Sequence, residues 1–239
     1  MSIPDFHDSR LADDMGTLRP QVLVLAADIG MLAHMSEASL LDILPVAQAE
    51  AIRKNRRSED RLRRILARLL LGLGLSLLEN RDAPTGVRAL RSDPQGRPWL
   101  ADCPRPVSLS HSGRWAACAI GHAQASGGIG VDVEEIREMP VEDFSMVFTA
   151  QEREDIRNAE DPASDLIRRW TIKEAILKAH GTGLLADPLQ VGTTGEEAIN
   201  HWAHLPLAHG YWLTVAASYC FTAALLKPSP QELFETGHI

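Results

Sequence analysis

Cysteine is scarce in this 239-residue chain: Cys103, Cys118 and Cys220 are the whole set, and no two stand in CxxC spacing. An odd count without that spacing argues against a disulfide framework and fits reduced thiols in a cytoplasmic protein. Positive charge is also in deficit. The formal net charge is −8, from 24 Lys and Arg against 32 Asp and Glu, which argues against a general nucleic-acid binder. Long hydrophobic runs are missing too. The longest, Leu69 to Leu78, is too short to cross a bilayer. The opening residues Met1 to Asp8 carry neither the cationic start nor the apolar stretch of a secretory leader. Gly128 and Gly130 do not open a dinucleotide fingerprint, because the GxGxxG spacing and its helix are absent.

What is present suffices for a core. Apolar residues make up 45% of the chain, near the globular average, and the length suits one large domain or two small ones. Residues 1–20 lack periodicity and read as a loose tail. A buried strand is predicted over Gln21–Ala27. Residues 39–52 are broken by Pro45 into short helical pieces. Ser58 caps an amphipathic helix that Gly72 and Gly74 are expected to end. A strand over Val87–Leu90 follows, then a turn at Gly96–Trp99. Val107–Ser110 and Trp115–Ile120 form an expected antiparallel pair joined by a turn over His111–Arg114. Residues 122–128, rich in small side chains, mark a boundary between halves covering 21–124 and 125–227.

The second half is predicted to hold a strand at Gly128–Glu134, a helix capped by Thr149 with Glu152 in the capping-box position, and a long helix from Asp161 to Gly181. Strands are then expected over 188–193, 198–206, 211–217 and 219–226, with 228–239 as a tail. His201, His204 and His209 lack a helical pair and any Cys or carboxylate alongside, which disfavours a metal site there.

Three stretches carry charge in informative patterns. Arg53, Lys54, Arg56, Arg57, Arg61, Arg63, Arg64 and Arg68 crowd into one short segment, either a solvated helix face or a place for an anion. Asp132 and Glu134 share one face of their strand and repel unless a cation lies between them. They are either a solvent-facing strand end or half of a divalent-ion site. On the long helix, Trp170, Lys173, Glu174, Leu177 and Lys178 share one broad face. Glu174 and Lys178 are either a surface ion pair or part of a site.

In order along the chain stand Gly96-Arg97-Pro98, Ser108-Leu109-Ser110-His111-Ser112, Gly130-Val131-Asp132-Val133-Glu134, Phe148-Thr149 with Glu152, and Trp170-Thr171-Ile172-Lys173-Glu174-Ala175-Ile176-Leu177-Lys178. Together these resemble the 4′-phosphopantetheinyl transferases of the large monomeric type that activates peptide synthetases such as surfactin synthetase. Ser108 stands where the family usually has Asn. The motifs cover about 95 to 225; the first ninety residues match only in layout and in the basic helix.

The resemblance implies an α/β (α+β) fold of two pseudo-symmetric halves, each a small, mostly antiparallel sheet against a long helix. Gly72-Leu73-Gly74-Leu75 and Gly181-Thr182-Gly183-Leu184 echo each other in that sense. It also implies a cytoplasmic, monomeric, Mg²⁺-dependent enzyme. Such an enzyme moves 4′-phosphopantetheine from coenzyme A to a serine of an apo acyl or peptidyl carrier protein and releases adenosine 3′,5′-bisphosphate. Carried over by motif, Asp132, Glu134 and Glu174 hold the metal and Lys178 meets the pyrophosphate. Ser110 and His111 bind phosphate groups, Arg97 lies near the adenine, and Arg53, Arg57 or Arg64 hold the 3′-phosphate. Glu174 is the first choice as general base and Glu152 the second. Two other readings use the same residues: a Mg²⁺-dependent nucleotide pyrophosphate hydrolase, and a non-catalytic module that binds coenzyme A or carrier proteins. Neither nucleic acid nor membrane is an expected partner.

Overall fold

The computed structural model describes residues 21–79, 82–125, 127–181, 186–193 and 201–235. The predicted N-terminal tail, Gly183, and the start of the strand predicted over 198–206 lie outside them. Helices and sheets are mixed, as expected. Strand β1 (Gln21–Asp28) leads through a 3-10 turn to the short helices α1 (Glu37–Asp42) and α2 (Val46–Arg53). Pro45 sits at the break between those helices, since proline cannot continue a helix but can start one.

Helix α3 (Ser58–Glu79) runs straight through Gly72 and Gly74, contrary to the expectation that they stop it. Both glycines are contact points. A Cβ at Gly72 would press on the Ala83 carbonyl, and one at Gly74 on Ile120 and Leu25. Close approach and burial outweigh their poor helix propensity of about 1 kcal/mol each. The strand expected over Val87–Leu90 is instead helix α4 (Ala83–Ala89), started by Asp82, whose side chain accepts from Thr85 N–H. It passes into β2 (Leu90–Ser92), which pairs with β3 (Pro98–Leu100).

Strands β4 (Val107–Ser112) and β5 (Trp115–Ile120) form the predicted antiparallel pair, joined through Gly113 at a φ of 53°. Next come β6 (Ile129–Glu135), α5 (Ala150–Arg157) with its capping box, and α6 (Pro162–His180), capped by Asp161 and ended by Gly181 in the left-handed conformation. The strand expected at 188–193 is a 3-10 turn, Pro188–Gln190, because the Asp187 side chain accepts from Leu189 N–H. Strands β7 (His201–His204), β8 (Tyr211–Ala217) and β9 (Thr222–Leu226) follow. The expected tail contains helix α7 (Pro230–Glu235), which buries Leu233 in the first core.

The two main sheets run β4-β5-β1-β9 and β6-β8-β7. Strand β9 follows the second sheet in sequence yet pairs in parallel with β1 in the first. Strand alternation then sorts the layers. Leu23, Leu25, Cys118 and Ile120 face α3, while Val22, Val24, Ala26, Ala117 and Ala119 meet Val131, Val133, Leu213 and Val215 of the second sheet. Ile172, Ala175, Ile176 and Ala179 of α6 cover the far side against Ala216. The order is therefore α3, sheet, sheet, α6. Among the described residues no helix is long and apolar enough to cross a membrane.

Candidate functional site

The sheets meet where β4 of one lies beside β6 of the other, and the predicted site residues converge at that seam. On β4 the even-numbered residues face β6 and the odd-numbered ones face α3. Ser108, Ser110 and Ser112 accept the backbone N–H groups of Val131, Val133 and Glu135 at 3.0, 3.3 and 3.3 Å. Ser110 also donates to Asp132 Oδ1 at 2.8 Å and Ser112 to Glu134 Oε2 at 2.5 Å. His111 points the other way, toward α3.

On β6, Val131 and Val133 enter the intersheet core, which sends Asp132 and Glu134 toward α6. Gly128 and Gly130 permit the approach: a Cβ on either would run into a carbonyl of α6, that of Ala179 or of Ala175. Lys178 thereby reaches Asp132 Oδ1 at 2.6 Å, Ser110 Oγ at 3.1 Å and the Val131 carbonyl at 3.2 Å. The ammonium pairs across to β6 and not with Glu174 along its own helix.

The carboxylates feel one another. Burial raises the Glu134 carboxyl above the usual range, and the Asp132 charge raises it further against the pull of Ser112 and Lys178. Burial, then Asp132, likewise raises Glu174. Asp132 is 3% exposed and its Oδ2 is buried without a hydrogen-bond partner. Three carboxylates, two of them repelled by the third, which itself has an orphaned oxygen, suit Mg²⁺ in donor chemistry. Among the described residues, no three His, Cys, Asp or Glu side chains are already gathered at metal-holding range.

On the α3 side, His111 is pushed down to about 4 by burial, then by the charges of Arg64, Arg63 and Lys178. Its imidazole is therefore neutral at pH 7. Arg63 donates to the Gly113 carbonyl and pairs with Asp60, while the Nε atoms of Arg63 and Arg64 are buried without partners. Unpaired buried donors beside a neutral histidine form an anion-seeking cluster. Arg57 and Arg53 are exposed at the turn between α2 and α3; the Arg57 charge acts on Asp60. Arg97 is exposed on the β2–β3 hairpin, and its guanidinium lies against Gly181 at the end of α6 and against Gly128.

The shared face expected on α6 is split. Trp170 packs edge-on to Phe144 in a satellite core. Lys173 is 1% exposed and turns toward Glu152 at 3.0 Å and the Pro188 carbonyl at 2.9 Å. Glu152 Oε2 also accepts from Thr149 N–H at 2.9 Å, and its Oε1 from Thr193 at 3.2 Å. Both oxygens of Glu152 thus have partners within the fold. The sequence alone counts Arg63 among a basic cluster and Ser112 within a motif but gives neither a role of its own. The period-2 run of serines on β4 is the available signal for Ser112, whereas nothing in the crowded arginine segment separates Arg63 from its neighbours.

Residues 128–222 match the family model of the 4′-phosphopantetheinyl transferase superfamily. The resemblance carried by the motifs from Gly130 to Lys178 holds in this comparison, while those at Gly96–Pro98 and Ser108–Ser112 lie outside the matched residues. Among individual proteins, the chain is similar to 4′-phosphopantetheinyl transferase Sfp of Bacillus subtilis (strain 168), 30% identical over 92 residues, 37% of this chain and 39% of that protein. A second 4′-phosphopantetheinyl transferase of Bacillus subtilis is 24% identical over 64% of this chain and 67% of its own length. The 4′-phosphopantetheinyl transferase gsp of Aneurinibacillus migulanus is 28% identical over 53% of this chain and 51% of its own. The chain thus spans between about two fifths and two thirds of the length of these relatives.

Proposed function

We propose that the chain transfers 4′-phosphopantetheine from coenzyme A to a serine of an apo acyl or peptidyl carrier protein and releases adenosine 3′,5′-bisphosphate. The observation that carries this reading is the two-sided seam. A neutral histidine with unpaired arginine Nε atoms lies on one side of β4, and Asp132, whose charge repels both Glu134 and Glu174, lies with Lys178 on the other. A polyanionic substrate with a pyrophosphate needs both chemistries at once.

In this reading His111, Arg63 and Arg64 bind phosphate through charge-assisted or neutral N–H donors. The exposed Arg53 and Arg57 extend that field toward the 3′-phosphate, and Arg97 borders the adenine. Asp132, Glu134 and Glu174 would hold Mg²⁺, which when bound neutralises charge on the pyrophosphate. The carrier serine oxygen bonds to the phosphorus that bears pantetheine, and the bond from that phosphorus to the bisphosphate oxygen breaks. Glu174, which α6 places beside Asp132 and Lys178, takes the serine proton. Glu152 is the weaker candidate, since both its oxygens already serve the fold. Lys178 stabilises the charge that grows on the leaving group. The free, buried thiols of Cys103 and Cys118 support a cytoplasmic setting, and we infer a monomer.

Incubation with coenzyme A and Mg²⁺, with and without an apo carrier, tests this. Adenosine 3′,5′-bisphosphate released only with the carrier, together with a carrier heavier by phosphopantetheine, is the expected result. Release without the carrier would indicate a pyrophosphate hydrolase, and binding without product a non-catalytic module.

A further inference from the structure

The serine ladder carries an inference that rests on the proposed reading but is measurable apart from it. An edge strand presents outward N–H groups at every second residue. On β6 these are Val131, Val133 and Glu135, and β4 meets them with hydroxyls. A serine hydroxyl has one proton and two lone pairs. Once the backbone N–H has taken a lone pair, the proton is left to aim elsewhere. Ser110 aims it at Asp132 and Ser112 at Glu134. Ser108, buried at 3%, makes the first rung, and among the described residues its hydroxyl bonds to Val131 N–H and to no carboxylate.

We propose that Ser112 is a positioning residue, whose hydroxyl, pinned by Glu135 N–H, fixes the direction of the Glu134 carboxylate for cation binding. Ser108 is the built-in comparison, because it holds the same seam without touching a carboxylate. Loss of a partner that orients a metal ligand typically weakens metal affinity by about 10–100-fold.

Mn²⁺ binding, followed by electron paramagnetic resonance with coenzyme A present, reads this without turnover. Ser112→Ala should weaken Mn²⁺ binding roughly 10–100-fold. Ser108→Ala, which removes an equivalent rung, should leave it within about twofold at a similar melting temperature. Ser112→Thr, which keeps the hydroxyl, should restore near-normal binding. Should Ser112→Ala not fold, Ser112→Cys keeps the volume but donates weakly, and the same weakening is expected of it. Equal Mn²⁺ affinity in the Ser112 and Ser108 variants would overturn the proposal, as would a wild-type protein that binds no Mn²⁺. A wild type that binds Mn²⁺ yet modifies no carrier would sink the transferase reading and leave the role of Ser112 standing or falling on its own titration.

Discussion

Replacing Lys173 by alanine removes a buried ammonium from beneath Glu152. The side chains of Lys173 and Glu152 are 1% and 13% exposed. The loss leaves a carboxylate short of its partner, the Pro188 carbonyl with Val191 N–H but without the ammonium, and the Phe148 ring without the cation 5.5 Å from its centre. Breaking a buried pair from one side costs roughly 3–5 kcal/mol. For a chain of this size each kcal/mol lowers the melting temperature by about 2–4 °C, so a fall of roughly 6–20 °C is expected. The paired neutral variant Lys173→Met with Glu152→Gln should recover much of it. No uncompensated charge remains there, and the side-chain amide carbonyl introduced at position 152 can still accept from Thr149 N–H. Thermal unfolding and carrier modification are to be measured on Lys173→Ala, on Glu152→Gln and on the paired variant. The reasoning requires large stability changes with turnover per folded molecule held within a few-fold. If Glu152→Gln kept its melting temperature but lost a hundredfold in kcat, Glu152 would be the general base and Glu174 would not.

Lys178→Ala should lower kcat by about 10²–10³, the usual cost of one donor to a developing charge, with a smaller change in KM; unchanged turnover would reduce it to a structural partner of Asp132. His111 gives a pH signature. Its native value of about 4 lies below 6.5, so the unfolded chain binds the extra proton between these values and stability falls as pH drops from 6.5 to 4, by at most about 3 kcal/mol. Urea unfolding of His111→Gln across that window should show a flatter profile. Gly130→Ala forces β6 away from the Ala175 carbonyl, and overpacking of roughly 1–3 kcal/mol should appear as a lower melting temperature together with impaired transfer. Arg64→Ala should weaken coenzyme A binding by about 10–100-fold, one charge-assisted hydrogen bond; calorimetry showing no loss would mean that this arginine does not face the substrate.

Local patterns made the strands and the site legible to different degrees. The apolar runs Val22–Ala27 and Trp115–Ile120, and the capping signals at Thr149 and Asp161, are short-range physics and survive intact. The glycines of α3 were misleading because the reason for them is tertiary: Ala83, Ile120 and Leu25 come close only in the folded chain. Asp82 caps α4 in the fold, yet Val87-Arg88-Ala89-Leu90 invites a strand when α3 is not there to pack on. The residue types at the site follow from the motifs. Their pairing does not, since helical spacing puts Lys178 beside Glu174, while the glycine-permitted approach of β6 turns it to Asp132. Lys173 looks solvent-bound by the same spacing and is instead sealed under α5.

The pairing of Thr222–Leu226 with Gln21–Leu25 bears on how the chain is made. During synthesis β1 emerges some two hundred residues before β9, so the first sheet stays one strand short until the strands of the second sheet have been made. Its open border presents unmet N–H and C=O groups for that interval, a template for pairing with other nascent chains. A fragment ending at the apparent boundary near residue 124 would keep that border permanently. Such a half should aggregate when expressed alone and recover when co-expressed with the remainder. Labels or fusion partners inserted between β8 and β9 would delay closure, and are expected to depress yield more than insertions in the β2–β3 hairpin.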